Sequence, residues 1–487
     1  MYSYSQKPAT KGCGFVDSLE LSEREIRESA GLLADSILVY QSSVADRPVL
    51  PQVDVDAMEK ILTAPIPDEG VPLQSLIEEF NQVIVPNSTH IAHPRFLAYV
   101  TGSASGVAPF AEAFTAMIDQ NGGIWQLGPA ANAVEQRVVG WLAGMFGWPE
   151  DTPGLLVSGG SMANLVALTA ARDAAIPVHS REDGLQSLTT PITVYVSEEV
   201  HTSVAKAADM LGIGQKFVRK VPVDDALRMN PDALAKAIRA DREDGLQPGI
   251  VVASACTVQT GAFDPLNAIA DICEREQLWL HVDGAYGALG ILAERLKPEL
   301  SGIDRADSLG LDPHKMLFSS NEAGCVLVKR PGALRNTYAY ESSYIGQESV
   351  PGLMDYKDLG PQLTRGIRAF KVWWIIRSHG MKLLSDTVNR LLDLAQYMGE
   401  KVEAEETLEL AIKPTFTAVC FRVRDWSDEQ NVALLHALVK SGVVFMGPAI
   451  VRGRFYMRAC FTSYRTTTDD VDLVMDAVMK ECARIDG

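Results

Sequence analysis

The stretch WLHVDGAYG, Trp279 to Gly287, is followed by ADSLGLDPHK, Ala306 to Lys315. Each contains a short apolar run that closes on an aspartate, Asp283 in the first and Asp312 in the second. Such runs separated by helical stretches read as strands of a parallel sheet buried on both faces. Upstream the same pattern repeats: LLVSGGSMANLVAL (Leu155 to Leu168), ITVYVSEEVHTSVAKAADML (Ile192 to Leu211) and IVVASACTVQTG (Ile250 to Gly261). The expected fold class is therefore α/β, a mostly parallel central sheet with helices on both faces, and the chemistry belongs beyond the carboxyl ends of its strands.

The flanks read differently. Ser22 is followed three residues on by Glu25, and Ile26, Leu32, Leu33, Ile37 and Leu38 recur at helical spacing, which predicts an amphipathic first helix. Pro48, Pro51, Pro65 and Pro67 mark the segment from Asp46 to Glu69 as a connector. After the sheet region, the segment from 368 to 402 reads as long helices, and strand-like runs at 416–424 and 454–461 alternate with helices near 428–441 and 468–484. The expected division is a helical segment at 1–92, a large α/β domain at 93–367 and a small C-terminal α+β domain at 368–487.

Composition narrows the function classes. The 487 residues are 47% hydrophobic and 22% charged, ordinary for a soluble globular protein. With 44 Lys and Arg against 62 Asp and Glu the net charge is -18, which argues against nucleic acid as a partner. No apolar run approaches the ~20 residues of a spanning helix, and MYSYSQKPATKGCGF lacks the layout of a signal peptide. A cytoplasmic protein with no membrane partner is expected. Seven cysteines are scattered singly, without the spacing of a zinc site or a disulfide framework, so no metal is expected.

Four strand ends carry candidate chemistry. Ser158-Gly159-Gly160-Ser161 joins a strand to a helix, and glycine amides with a hydroxyl at a helix N-terminus make an anion site or simply a tight turn. His201 opens the next helix and is either structural or able to stack on a planar ring. Asp283 caps the following turn or pairs with a pyridinium nitrogen. Lys315 alone reads as a strand-end lysine that snorkels into water; beside His314 it also suits covalent capture of an aldehyde cofactor. The ordered conjunction of anion, stacking, carboxylate and lysine sites is the informative signal.

In HPRFLAYV, SGGSMANLVAL, EVHTSVAKA, HVDGAYG and DPHKM the chain resembles the pyridoxal-phosphate-dependent group II amino-acid decarboxylases, the family of aromatic-amino-acid, histidine and glutamate decarboxylases. The resemblance implies the aspartate-aminotransferase-like fold (fold type I), a homodimer with its active site at the subunit interface, and pyridoxal 5'-phosphate as cofactor. It implies that Lys315 holds the cofactor covalently, His201 stacks on its ring, Asp283 pairs with the ring nitrogen and Ala285 packs against the ring. Gly160 and Ser161 are implied to hold the phosphate, with Thr257 and Ser308 as further contacts and His314 beside the lysine. The loop tyrosine that returns a proton falls at Tyr344 by gapless counting, with Tyr338 as the fallback. Tyr99, Trp125, Asn121 and Arg365 are the expected substrate positions.

The chain departs from the family pattern in three places. Gly366 stands where a second arginine usually follows Arg365, Met316 stands where aromatic-specific members have tryptophan, and Asn121-Gly122-Gly123 is small and polar where they are bulky. The first bears on the contact expected of Arg365, and the other two lean away from a tight aromatic pocket. The expected reaction is loss of the α-carboxylate of an L-amino acid to give an amine and CO2. The alternatives are oxidative decarboxylation and deamination to an aldehyde, which retention of Tyr344 disfavours, and a cofactor-binding protein without catalysis.

Overall fold

The computed structural model describes residues 19–176, 180–340 and 354–486. The chain forms two compact units, Met1–Asp46 with Pro51–Thr89, and Arg47–Leu50 with His90–Gly487. In the first unit the helix Glu23–Ser43 starts at a capping box, with Ser22 and Glu25 each satisfying the other's backbone amide. The proline-flanked connector holds a second helix, Val55–Thr63, because Pro51 and Pro65 border it and Asp54 caps it at the Ala57 amide. Neither these helices nor Leu73–Glu79 buries a single residue.

The second unit contains two sheets. Its strands, in chain order, are β1 (Phe96–Leu97), β2 (Gly154–Val157), β3 (Ile192–Ser197), β4 (Val218–Val221), β5 (Gln247–Ser254), β6 (Trp279–Asp283), β7 (Ser308–Leu311), β8 (Gly324–Val328), β9 (Leu408–Leu410), β10 (Ala418–Val423), β11 (Phe445–Val451) and β12 (Arg454–Cys460). The larger sheet runs β2-β8-β7-β6-β5-β3-β4 and the smaller β1-β11-β12-β10-β9. In the larger sheet β4, β3, β5, β6 and β7 pair in parallel, while β8 runs antiparallel to both β7 and β2. Every residue of β2, β3, β6, β7 and β8 is buried, as expected of strands covered on both faces.

Register aligns the chemistry. Asp283 pairs across to Ser254 on β5 and Gly310 on β7, and His281 pairs to Ser308. On β6 the side chains of Trp279, His281 and Asp283 fall on one face and Leu280 and Val282 on the other, by the two-residue period of a strand. The long helix Ala369–Ala404 bends at Gly380, whose φ of 71° lies in the left-handed region. The smaller sheet also contains β9 and β11, and it draws β1 from ahead of the larger sheet in parallel with β11. Among the described residues no helix is long and apolar enough to cross a membrane, and the six described cysteines are buried thiols.

Candidate functional site

The helix Gly160–Ala175 begins where β2 ends, and its N-terminus has no side-chain cap. Gly159 holds φ at 135°, a conformation closed to other residues in practice. β8 presses on this turn so closely that a Cβ on Gly324 would stand 2.4 Å from the Gly159 Cα. A Cβ on Gly160 would stand 2.7 Å from the Ala285 Cβ and 3.1 Å from Asp312 Oδ2. Uncapped amides and the positive end of the helix dipole therefore face the residues that follow β6 and β7, a setting suited to an anion.

Lys315 sits in the four-residue helix Pro313–Met316 that follows β7. Its Nζ is 2.8 Å from Asp312 Oδ2, on a carboxylate that is 2% exposed. The other carboxylate oxygen, Asp312 Oδ1, is buried without a hydrogen-bond partner among the described residues. His314 Nδ1 lies 2.8 Å from the Ala323 carbonyl oxygen and 3.2 Å from the Ala323 amide, and burial pushes its imidazole below the usual histidine range. The segment after β1 passes directly beneath, since a Cβ on Gly102 would lie 2.3 Å from the carbonyl oxygens of His314 and Lys315.

Asp283 accepts from the Ala285 amide at 3.2 Å through Oδ1 and from Asn164 Nδ2 at 2.9 Å through Oδ2. His201 caps the helix Thr202–Met210 through its own ring, with Nδ1 accepting from the Ser203 amide at 3.2 Å and lying 2.8 Å from Ser203 Oγ. Two donors at Nδ1 place the ring proton on Nε2.

These groups line one cavity of about 410 Å³, together with Ser161, Thr257, Ala285, His314 and Tyr99. Other expected residues lie elsewhere. Ser308 is fully buried in β7, bonded to Trp279 Nε1 at 2.8 Å and His281 Nδ1 at 2.9 Å, behind the cavity wall. Arg365 makes a bidentate ion pair with Glu135 at 2.7 and 3.0 Å, both side chains 1% exposed. Asn121 Oδ1 accepts from the amides of Gly123 and Arg365, and the Trp125 amide donates to Asp355, so both belong to the loops around that buried pair. Tyr338 donates to the Val166 carbonyl at 3.3 Å, and burial raises its phenol to about 12. Tyr344 lies outside the described residues.

Sequence reasoning missed Asn164, Ser203, Cys256 and Arg458, all of which line the cavity. Asn164 lies one helical turn beyond Gly160, a spacing that could have found it. Arg458 comes from β12 in the other sheet and carried no local signal. It donates to the carbonyls of Val258 at 2.8 Å and Ala98 at 3.1 Å, yet pairs with no carboxylate among the described residues, and its Nε is buried without a partner.

A phosphorylated aldehyde fits this donor set. The lysine supplies an amine, the uncapped helix start an anion seat, and Asp283 a fixed carboxylate for a ring nitrogen. The family described as "Pyridoxal-dependent decarboxylase conserved domain" matches residues 56–424. The chain is 32% identical over 468 residues to an aromatic-L-amino-acid decarboxylase of Bacillus atrophaeus, covering 94% of this chain and 96% of that one. It superposes on Oryza sativa TDC, solved with PLP and tryptamine, at a TM-score of 0.89 and 27% identity over 96% of this chain and 100% of that one. Rhodiola rosea 4-hydroxyphenylacetaldehyde synthase is similar at a TM-score of 0.87 and 27% identity, over 96% of this chain and 99% of that one. The fold is that of these pyridoxal-phosphate enzymes, and the chain belongs to the pyridoxal-dependent decarboxylase family, with pyridoxal 5'-phosphate as its cofactor.

Proposed function

We propose that the protein removes the α-carboxylate of an L-amino acid and releases the corresponding amine and CO2. The observation that carries this reading is the union, in one cavity, of Lys315, Asp283 and His201 with Arg458, a buried cation that has no carboxylate partner among the described residues. Bound here, pyridoxal phosphate supplies a sink for the electron pair left when the bond from Cα to the carboxylate breaks. Lys315 would hold the aldehyde carbon, with Asp312 placed to balance the charge of its nitrogen. Gly160, Ser161 and Thr257 would hold the phosphate, Ala285 and His201 the ring, and Asp283 its nitrogen.

Arg458 offers the substrate carboxylate a charged seat before it leaves as neutral CO2. A proton must then return to Cα. We assign that role to Tyr344, because Tyr338 is held at the Val166 carbonyl and does not line the cavity. The protein acts as a homodimer. Support comes from the first unit, whose helices Glu23–Ser43, Val55–Thr63 and Leu73–Glu79 contain no buried residue, and from the exposed side chains of Phe110, Phe114, Met117 and Ile118 on one face of the helix Ala108–Ile118.

The test is the visible absorbance of the purified holoenzyme, followed by CO2, amine, ammonia and peroxide assays across aromatic, acidic and imidazole L-amino acids. The reading expects CO2 and amine in equal amounts with at least one substrate. Lys315→Ala should remove the band of covalently held cofactor, and a normal band there would sink the assignment. Tyr344→Phe should lower amine and raise aldehyde and ammonia. If wild-type protein gives aldehyde, ammonia and peroxide instead of amine, the oxidative alternative holds.

A further inference from the structure

Behind Asp283 runs a line of buried polar side chains that the reaction itself does not use. Trp279 Nε1 donates to Ser308 Oγ at 2.8 Å, and Ser308 Oγ lies 2.9 Å from His281 Nδ1. His281 Nε2 lies 2.9 Å from Asn164 Oδ1, and Asn164 Nδ2 donates to Asp283 Oδ2 at 2.9 Å. Trp279, Ser308, His281 and Asn164 are at most 2% exposed, and Asp283 is 8% exposed.

Both ends fix the direction of the line. A carboxylate only accepts, so the Asn164 amide turns its nitrogen to Asp283 and its oxygen to His281. His281 must then carry its proton on Nε2 to donate to that oxygen. Burial holds His281 neutral, near 4 against an ordinary 6.5, so Nδ1 has no proton and accepts from the Ser308 hydroxyl. The indole at the far end only donates, which leaves Ser308 its own hydrogen to pass on. Space is kept for the arrangement, since a Cβ on Gly310 would stand 3.1 Å from Asn164 Oδ1.

Filling a core does not require this. Apolar residues of similar shape would satisfy β6 at less cost, because every buried polar atom must find a partner. What the line achieves is a donor, rigidly aimed, at the carboxylate that would meet the nitrogen of the cofactor ring. We propose that Asn164 and His281 are positioning residues that hold Asp283 as the charged acceptor for a protonated ring nitrogen, through a one-way hydrogen-bond relay anchored on the Trp279 indole. The inference rests on reading Asp283 as the partner of that nitrogen. Without the Asn164 donor the charged carboxylate is less favoured, so the shared proton moves from the ring toward Asp283.

The experiment reconstitutes holoenzyme with pyridoxal phosphate labelled with nitrogen-15 in its ring and records the ring-nitrogen resonance at one pH. Wild type should lie in the pyridinium range and Asp283→Asn in the pyridine range. Asn164→Ala should fall between them, His281→Phe should shift in the same direction, and His281→Gln, which keeps a donor toward Asn164, should stay near wild type. An Asn164→Ala resonance at the wild-type position, with Asp283→Asn displaced, would overturn the relay and leave the cofactor assignment intact. An undisplaced Asp283→Asn resonance would overturn both. Should Asn164→Ala fail to fold, wild-type holoenzyme labelled with nitrogen-15 histidine decides, its His281 signal identified by its loss in His281→Gln. A proton on Nε2 supports the relay, and a proton on Nδ1 overturns it.

Discussion

Arg458 and His281 show how burial turns a side chain's charge state into function. Arg458 is 7% exposed and held by two backbone carbonyls, with no carboxylate paired to it among the described residues. A guanidinium kept dry and without a counterion is costly unless an anion completes the site. Arg458→Gln keeps hydrogen-bonding capacity and removes the charge; losing a charge-assisted bond of ~1.5–3 kcal/mol should lower kcat/KM by roughly ten- to a hundredfold. Steady-state kinetics on the best substrate of the panel would check this, and an unchanged kcat/KM would remove Arg458 from the site. His281 is the opposite case, a buried base kept neutral. Its folded value, about 4, lies below the ordinary 6.5. The unfolded chain therefore binds a proton that the fold refuses, so this contribution to stability is complete above pH 6.5 and is lost as the pH falls toward 4. Between pH 8 and pH 5 the loss is on the order of 2 kcal/mol. Asp264, which burial raises to about 6, titrates in the same region with opposite sign, but it does so in wild type and variant alike. Denaturation midpoints at the two pH values should thus show a shallower loss for His281→Gln than for wild type, and equal slopes would contradict the assignment.

At the scale of elements, the site is made by close approaches between loops that end on different strands. The segment after β1 slides under Lys315 with no room for a methyl group, because a Cβ on Gly102 would meet two carbonyl oxygens at 2.3 Å and the Lys315 Cα at 2.9 Å. Those are backbone atoms and cannot swing aside, so Gly102→Ala should displace the lysine turn. A cost of ~1–3 kcal/mol in stability and a weakened band of covalently held cofactor at equal protein concentration are expected; a full-strength band would show that the turn can move. Gly102 was visible in the sequence only as one of several small residues before a helix. The strand ends themselves were legible because an apolar run closing on Ser158, Asp283 or Asp312 marks where the strand stops and a polar cavity begins. Ser308 and Arg365 were placed beside the ligand by resemblance to the family, and within this chain they have other partners. A serine inside a fully buried strand serves its neighbours on the sheet, and an arginine bound to Glu135 has no free fork to offer. Strands β9 and β11 escaped notice because β9 is only three residues long with a glutamate at its centre, and β11 carries Gly447-Pro448, a pair that reads as a break. Arg458 was beyond local reasoning altogether, since only the packing of the smaller sheet brings β12 to the cavity.

For the whole molecule, the question is what covers the apolar surface that the single chain leaves open. Phe110, Phe114, Met117 and Ile118 are 41–70% exposed on the helix Ala108–Ile118, and Phe114 stacks on Trp374 at 5.4 Å, so the patch is ordered rather than loose. Within the first unit, taken by itself, Ile26, Leu33, Leu38 and Val39 are exposed on a helix without a buried residue. Apolar groups in such number point to a protein partner, and a second copy of the chain is the simplest one, because a two-fold interface presents the same patch twice. Each large side chain buried there is worth ~1.5–3 kcal/mol. Phe114→Glu with Met117→Glu, counted on both subunits, should therefore raise the dimer dissociation constant by at least roughly a hundredfold. Sedimentation of the holoenzyme should give twice the chain mass for wild type and a shift toward the single chain for the variant at the same concentration. A wild-type protein that sediments as one chain, with full decarboxylase turnover, would overturn the dimer and with it the expectation of a site completed at the subunit interface.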